Sequence, residues 1–151
     1  MIRVLVPADV AGLAPALAKL PLMERYARTP EALAADVRAA YERGDHLYVW
    51  DTGNGAAGIL WFFASGTLGM GGYLRLIALV PGATGAGAGA KLLAEFESQV
   101  GAASRHAFLL VSDFNVDAQR FYEKHGYTKV GVLPKIVRPD VDELIYWKRL
   151  R

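Results

Sequence analysis

The stretch from Leu76 to Leu93, L-I-A-L-V-P-G-A-T-G-A-G-A-G-A-K-L-L, constrains this chain more than any other part of it, because an apolar run, a proline, a loop of small residues and an amphipathic helix follow one another without a break. Gly82, Gly85, Gly87 and Gly89 fall within eight residues and are interleaved with Ala83, Ala86 and Ala88. A backbone of this kind turns sharply, and no large side chain screens its N–H groups. At a helix start those groups lack internal partners and stand at the positive end of the helix dipole. The loop is therefore suited to an anion such as a phosphate or diphosphate.

Spacing separates the phosphate loops it could be. A nucleoside triphosphate loop needs Gly, four residues, then Gly-Lys-Ser/Thr; here Gly87, five positions after Gly82, is followed by Ala88, and Lys91 is followed by Leu92. The dinucleotide fingerprint G-x-G-x-x-G is nearer, since Gly85 and Gly87 fit and a later apolar run ends in Asp113, but Gly89 comes one residue early. About sixty residues remain beyond the loop, too few for the further βαβ units of a dinucleotide domain. A nicotinamide-dependent oxidoreductase is accordingly the most distant reading.

Val80-Pro81, then Gly85-x-Gly87-x-Gly89, then Lys91-Leu92-Leu93 resembles the acetyl-CoA loop of the GNAT N-acetyltransferase superfamily, whose pattern is Q/R-x-x-G-x-G/A after a strand; Thr84 stands at the Q/R position. A second block follows at the expected distance. Phe108 to Tyr127 is similar to the family's next strand and helix, with Asn115, Ala118, Phe121, Tyr122, Gly126 and Tyr127 matching N-x-x-A-x-x-F/L-Y-x-x-x-G-F/Y. The resemblance implies an α/β fold in one domain over residues 1–151, with a mixed central sheet of about seven strands and helices on both faces.

Composition bounds the remaining possibilities. The chain has 151 residues, enough for a domain with its own core, and no cysteine, which excludes disulfides, a thiol acyl-enzyme and cysteine zinc sites. The longest apolar run, Ile59 to Ala64, is far short of the roughly twenty residues of a membrane span. Met1 to Val6 alternates rather than forming a signal-peptide core, so a cytoplasmic protein is expected. The 17 basic and 15 acidic residues are mixed along the chain, and no basic stripe suggests nucleic acid. His46, His106 and His125 have no metal-like spacing.

Taken in order, Ile2 to Val6 reads as a strand, and Val10, Leu13, Leu17 and Leu20 as one face of a helix closed by Pro21. Leu22 to Arg28 reads as a connection. Thr29-Pro30-Glu31 is a helix start whose apolar face is Leu33, Val37 and Tyr41, with Gly44 as its stop. Leu47 to Trp50 and Ala57 to Ala64 are paired strands around a turn at residues 51–55, and Tyr73 to Val80 is the strand feeding the loop. Beyond the loop helix come a strand from His106 to Val111, parallel to the one before, and a helix from Asn115 to His125. Two closing strands, Tyr127 to Leu133 and Leu144 to Leu150, are joined through Pro134 and Pro139.

The resemblance also implies roles. Acetyl-CoA is the expected co-substrate, its diphosphate on the N–H groups of Gly85, Ala86, Gly87, Ala88, Gly89 and Ala90. Its pantetheine arm is expected between Ile77-Ala78-Leu79 and Phe108 to Val111, where a strand N–H polarises the thioester carbonyl. Tyr122, seven residues after Asn115, falls where the family places the tyrosine that protonates the departing thiolate; by helical spacing it is equally a core aromatic. Asn115 is a helix cap, a cofactor contact, or both. A protonated amine must lose a proton before it attacks, and relatives place a glutamate on the strand before the loop or five residues before the Asn. Here the first of these strands has no acid and the second position is Leu110, which leaves Glu24 and Asp113 as candidate bases. Acceptor specificity is expected from Leu22 to Arg28, Trp61, Phe63, Tyr73 and Arg75; Arg75 either reaches solvent from a strand end, the better reading, or pairs with an acidic group on the acceptor. The expected activity is direct transfer of acetyl from acetyl-CoA to a primary amine in a ternary complex. The alternative is a non-catalytic CoA-binding module of the same fold, and pairing of two copies as a homodimer is left open.

Overall fold

In the computed structural model, which describes residues 1–151, the chain forms β1 (Ile2–Val4), a 3-10 turn (Pro7–Asp9), α1 (Val10–Leu17), α2 (Pro21–Arg25), α3 (Pro30–Arg43), β2 (His46–Asp51), β3 (Ala56–Thr67) and β4 (Gly71–Leu79), followed by α4 (Ala88–Gly101), β5 (His106–Ser112), α5 (Val116–Lys124), β6 (Thr128–Arg138) and β7 (Val141–Arg149). The strands form one mixed seven-stranded sheet in the order β1-β2-β3-β4-β5-β7-β6. The β4–β5 pair is parallel, and β1–β2, β2–β3, β5–β7 and β6–β7 are antiparallel. No helix is long and apolar enough to cross a membrane. By contacts the chain divides into two compact units.

The first unit comprises Met1–Phe62 and Leu76–Phe96. The Thr29 hydroxyl accepts from Ala32 N–H at 3.1 Å and starts α3, and Gly44, at φ 81°, ends it in the left-handed conformation that glycine adopts without penalty. Between those caps Leu33, Val37 and Ala40 are buried, and with Val10, Leu13 and Leu17 of α1 they pack on Leu5, Leu47, Val49, Ile59 and Trp61. Strand residues of the other parity meet α4: Phe62 lies edge-on to Phe96 at 5.3 Å, and Lys91 Nζ stands 5.5 Å from the Trp50 ring. Helices thus cover both faces of β2 and β3. Arg3 binds Asp9 at 2.8 Å and Asp51 at 2.6 Å, tying the first strand to the turn beside it and holding both carboxyls below their ordinary range.

The second unit comprises Phe63–Arg75 and Glu97–Arg151. Its strand register pairs Tyr73 with Phe108, Phe108 with Trp147 and Ser112 with Glu143, which sorts side chains strictly between two faces. One face packs on helices: Lys148 Nζ reaches Glu97 of α4 at 2.9 Å, and the Tyr146 hydroxyl donates to Glu123 of α5 at 2.9 Å. Burial and that carboxylate push the Tyr146 phenol up to about 12. The other face carries Tyr73, Phe108, Ser112, Glu143, Ile145 and Trp147.

Two prolines act differently from the expectation drawn from sequence. Pro21 opens α2 rather than closing a segment, since a residue without an N–H is well placed at a first helical position; Leu22 to Arg25 are therefore helical and not connection. Pro134 lies inside β6, which runs on to Arg138, and the turn is only Pro139-Asp140. An outermost strand tolerates a missing N–H, and the β6–β7 register shifts between Leu133 and Arg138, where Lys135 takes φ 52°.

Gly71 is where two backbones crowd: a Cβ there would lie 2.1 Å from the His106 carbonyl oxygen. Gly71→Ala is expected to cost about 1–3 kcal/mol by forcing β4 away from β5, whereas Gly12→Ala, in a helix with nothing within 4 Å of the new methyl, should gain about 0.5–1 kcal/mol. Urea midpoints at unchanged slope measure both.

Candidate active site

The loop after β4 presents its backbone outward. Gly85 and Gly87 take φ 111° and 69°, conformations that only glycine adopts without strain, and residues 84–87 are exposed. From Gly87 to Ala90 no N–H donates to a backbone carbonyl; the first that does is Lys91, to Gly87 O at 3.0 Å. The opening turn of α4 therefore offers a run of donors at the positive end of a fourteen-residue helix. That geometry fits a diphosphate.

Just before the loop, the Val80 N–H donates to Ala57 O at 2.9 Å, and the Ala78 carbonyl faces Gly58 on the same side. Alternation then turns the amides of Ile77 and Leu79 to the opposite edge of β4. Of the three strand residues expected to contact the cofactor, these two carry the N–H groups able to donate to it, and Ala78 is committed to β3. Glu24 also belongs to the first unit; it is exposed on α2. Trp61 is buried in that unit's core with its indole N–H on Asp45 at 3.1 Å, an anchoring role rather than one in an acceptor cleft.

The second unit holds Tyr122, Asn115 and Asp113. Asn115 caps α5, its Oδ1 accepting from Ala118 N–H at 3.2 Å. Asp113 Oδ2 accepts from Asp142 N–H at 3.2 Å, while Asp113 N–H donates to Asp142 O at 2.9 Å, so this acid latches the end of β5 to the start of β7. Tyr122 packs edge-on against Phe121 at 5.1 Å and Tyr127 at 5.7 Å. Although the residue as a whole is only half-buried, burial of its hydroxyl end pushes the phenol well above the ordinary value, and Tyr73 adds to the rise. Tyr73, stacked on Phe63 at 6.3 Å, is raised chiefly by burial; the Arg75 guanidinium opposes the rise and the Glu143 carboxylate adds to it.

Glu143 is a buried carboxylate on this face that the sequence reading did not single out. It is 6% exposed, lies directly across from Ser112 on β5, and both its oxygens are 3.4 Å from the Ser112 hydroxyl. A signal was present in the alternation of Val141-Asp142-Glu143-Leu144-Ile145-Tyr146, which puts a carboxylate on the parity opposite Leu144 and Tyr146. The histidines are held structurally: His46 stacks on Phe62 at 4.7 Å, His106 Nδ1 accepts from the Trp147 indole at 3.0 Å, and His125 Nδ1 lies 2.7 Å from Phe121 O.

The sequence model of the acetyltransferase (GNAT) domain matches residues 43–129, more than half of the chain. Among solved structures, an aminoglycoside 6'-N-acetyltransferase complexed with coenzyme A is similar at a TM-score of 0.80 and 16% identity, over 100% of this chain and 97% of that one. An N-acetyltransferase from Staphylococcus aureus Mu50 is similar at 0.78 and 18% identity, over 100% and 98%. Ard1 from Thermoplasma volcanium is similar at 0.79 and 21% identity, over 99% and 96%. Comparison with curated protein sequences finds no match. With the seven-stranded sheet and glycine loop described above, the match over residues 43–129 identifies the chain as a member of the GNAT acetyltransferase family.

Proposed function

We propose that this protein transfers an acetyl group from acetyl-CoA directly to a primary amine, both substrates being bound at once. The observation that carries this reading is the run of N–H groups from Gly87 to Ala90, at the start of α4, that donate to no backbone carbonyl. Acetyl-CoA supplies an acetyl group activated as a thioester. The amides of residues 85–90 hold its diphosphate, Lys91 adds a positive charge beside them, and the N–H of Ile77 or Leu79 donates to the carbonyl oxygen that gains charge as the amine adds. Tyr122 keeps its phenolic proton at neutral pH because its hydroxyl is desolvated, and it gives that proton to the departing sulfur.

Release of free CoA across a panel of amines tests the activity. Tyr122→Phe is expected to lower kcat by about 10²-fold or more while leaving acetyl-CoA affinity nearly unchanged. Binding of acetyl-CoA with no turnover on any amine would instead favour a CoA-binding module.

The pH profile gives a second check. A phenol raised by burial stays protonated in the folded chain above the ordinary value of 10.0, so Tyr122 contributes stability that is complete below pH 10 and fades as pH rises beyond it. The expected result is no alkaline fall in kcat attributable to Tyr122 below pH 10, and 295 nm absorbance titrations of wild type and Tyr122→Phe that superimpose up to that pH.

A further inference from the structure

Charges that are mixed along the sequence are sorted by the fold of the second unit. β5 and β7 run antiparallel, so His106 and Ala107 at the start of β5 meet Arg149 and Lys148 at the end of β7, while Ser112 at the far end meets Glu143. α5 has Asp117 in its first turn and Lys124 in its last, and Gly126 just beyond it lies beside the Lys148 side chain. Lys129 on β6 lies across from Tyr146, toward the same end. One end of the unit therefore carries Arg105, Lys124, Lys129 and Arg149, all exposed. The acids nearest to them, Glu97 and Glu123, are bound to Lys148 and Tyr146. Asp113, Asp117, Asp140 and Asp142 stand at the opposite end, with Lys135 and Arg138 among them.

The turn between β3 and β4 comes to the basic end as well. The Ser104 hydroxyl donates to Met70 O at 2.8 Å, Arg105 O accepts from Leu150 N–H at 2.8 Å, and Gly71 is packed against the His106 carbonyl. At the tip of this turn Leu68 is 76% exposed and Met70 54% exposed. Leu68 also takes φ 52°, between Gly66 and Gly69 at φ 108° and 70°. A leucine there loses on two counts, since glycine or asparagine fits the left-handed conformation and a polar side chain suits the exposure. So exposed a side chain offsets neither cost by packing within the unit.

We infer that this end of the second unit docks on an anionic phospholipid surface, with Leu68 and Met70 entering the headgroup layer and Arg105, Lys124, Lys129 and Arg149 facing the lipid phosphates. The form of the patch favours a bilayer over an acidic protein. Its apolar part is a two-residue projection rather than a groove or a flat face, and a fluid interface admits such a projection without a matching cavity. Its charges are spread around the ends of β5, β7 and α5 and the start of β6 rather than lined up along one groove, as suits a field of headgroups. Two apolar anchors alone hold a protein weakly and reversibly, and each basic residue near an anionic leaflet strengthens attachment by about fivefold. Attachment is thus peripheral and salt-sensitive. It is separate from the acetyl transfer proposed above and uses none of the residues assigned to that reaction.

Co-sedimentation with vesicles tests the inference. Phosphatidylcholine vesicles with about 30 mol% phosphatidylglycerol should carry the protein down at about 0.1 M salt, pure phosphatidylcholine should not, and about 0.5 M salt should release it. L68N/M70Q should lower partitioning about tenfold or more, and so should R105Q/R149Q. Asparagine relieves the backbone at position 68, so the urea midpoint of L68N should not fall, and lost binding then reports the tip rather than the fold. Because the chain has no cysteine, Met70→Cys takes a single environment-sensitive fluorophore. Its emission should move to the blue with anionic vesicles, whereas the same label on Asp117→Cys, at the other end of α5, should not respond. Failure of the wild type to bind anionic vesicles overturns the inference. So does an unmoved label on Met70→Cys, or binding of L68N/M70Q within about twofold of wild type. A poly-glutamate peptide that binds as tightly as the vesicles and displaces them overturns it in favour of an acidic protein partner.

Discussion

Side-chain alternation along β5 and β7 is the constraint on which the second unit depends. The same register that buries Leu109, Val111, Leu144 and Tyr146 against α4 and α5 turns Ser112 and Glu143 to the other face. Each buried apolar side chain of that size contributes about 1.5–3 kcal/mol, so the set outweighs the several kcal/mol that a buried carboxylate costs. A slip of one residue would reverse both faces at once, and the apolar side chains forbid it. Glu143 is thus kept on its face by the burial of side chains on the opposite one.

The two halves of the proposed chemistry use different physical devices. The loop after β4 works through backbone geometry: glycines in left-handed conformations aim amides outward, and the helix behind them supplies the field. Tyr122 works through its surroundings. Phe121 and Tyr127 wall its ring, water is kept from its hydroxyl, and the phenol therefore retains its proton. Neither device needs a metal ligand or a reactive thiol, in keeping with a chain that has no cysteine.

Much of the architecture was legible because it is written in local signals. Thr29, Pro30 and Gly44 mark the ends of α3 by cap chemistry alone, and the glycine loop marks the strand-to-helix junction. What escaped was set by tertiary position. Pro134 reads as a strand breaker until the strand proves to be outermost, where its missing N–H goes unused. Pro21 could end one helix or begin another, and only packing of Met23 into the core decides for the latter. Trp61 looks like cleft lining until its partner, Asp45, is seen. Glu143 was invisible for the same reason: its neighbours Ser112 and Tyr73 are brought to it by pairing across strands distant in sequence, and no spacing along the chain announces that.

The Pro139-Asp140 hairpin has an implication for how such a chain diversifies. β7 is anchored on its inner side by β5 and by the Asp113 latch, whereas β6 is anchored only by β7. Insertions or deletions between Leu133 and Arg138 are absorbed by the free outer strand, whose register is already irregular there. The hairpin can therefore be lengthened, shortened or rewritten while β5 and β7 keep their pairing, giving descendants of one scaffold different rims at this edge of the sheet.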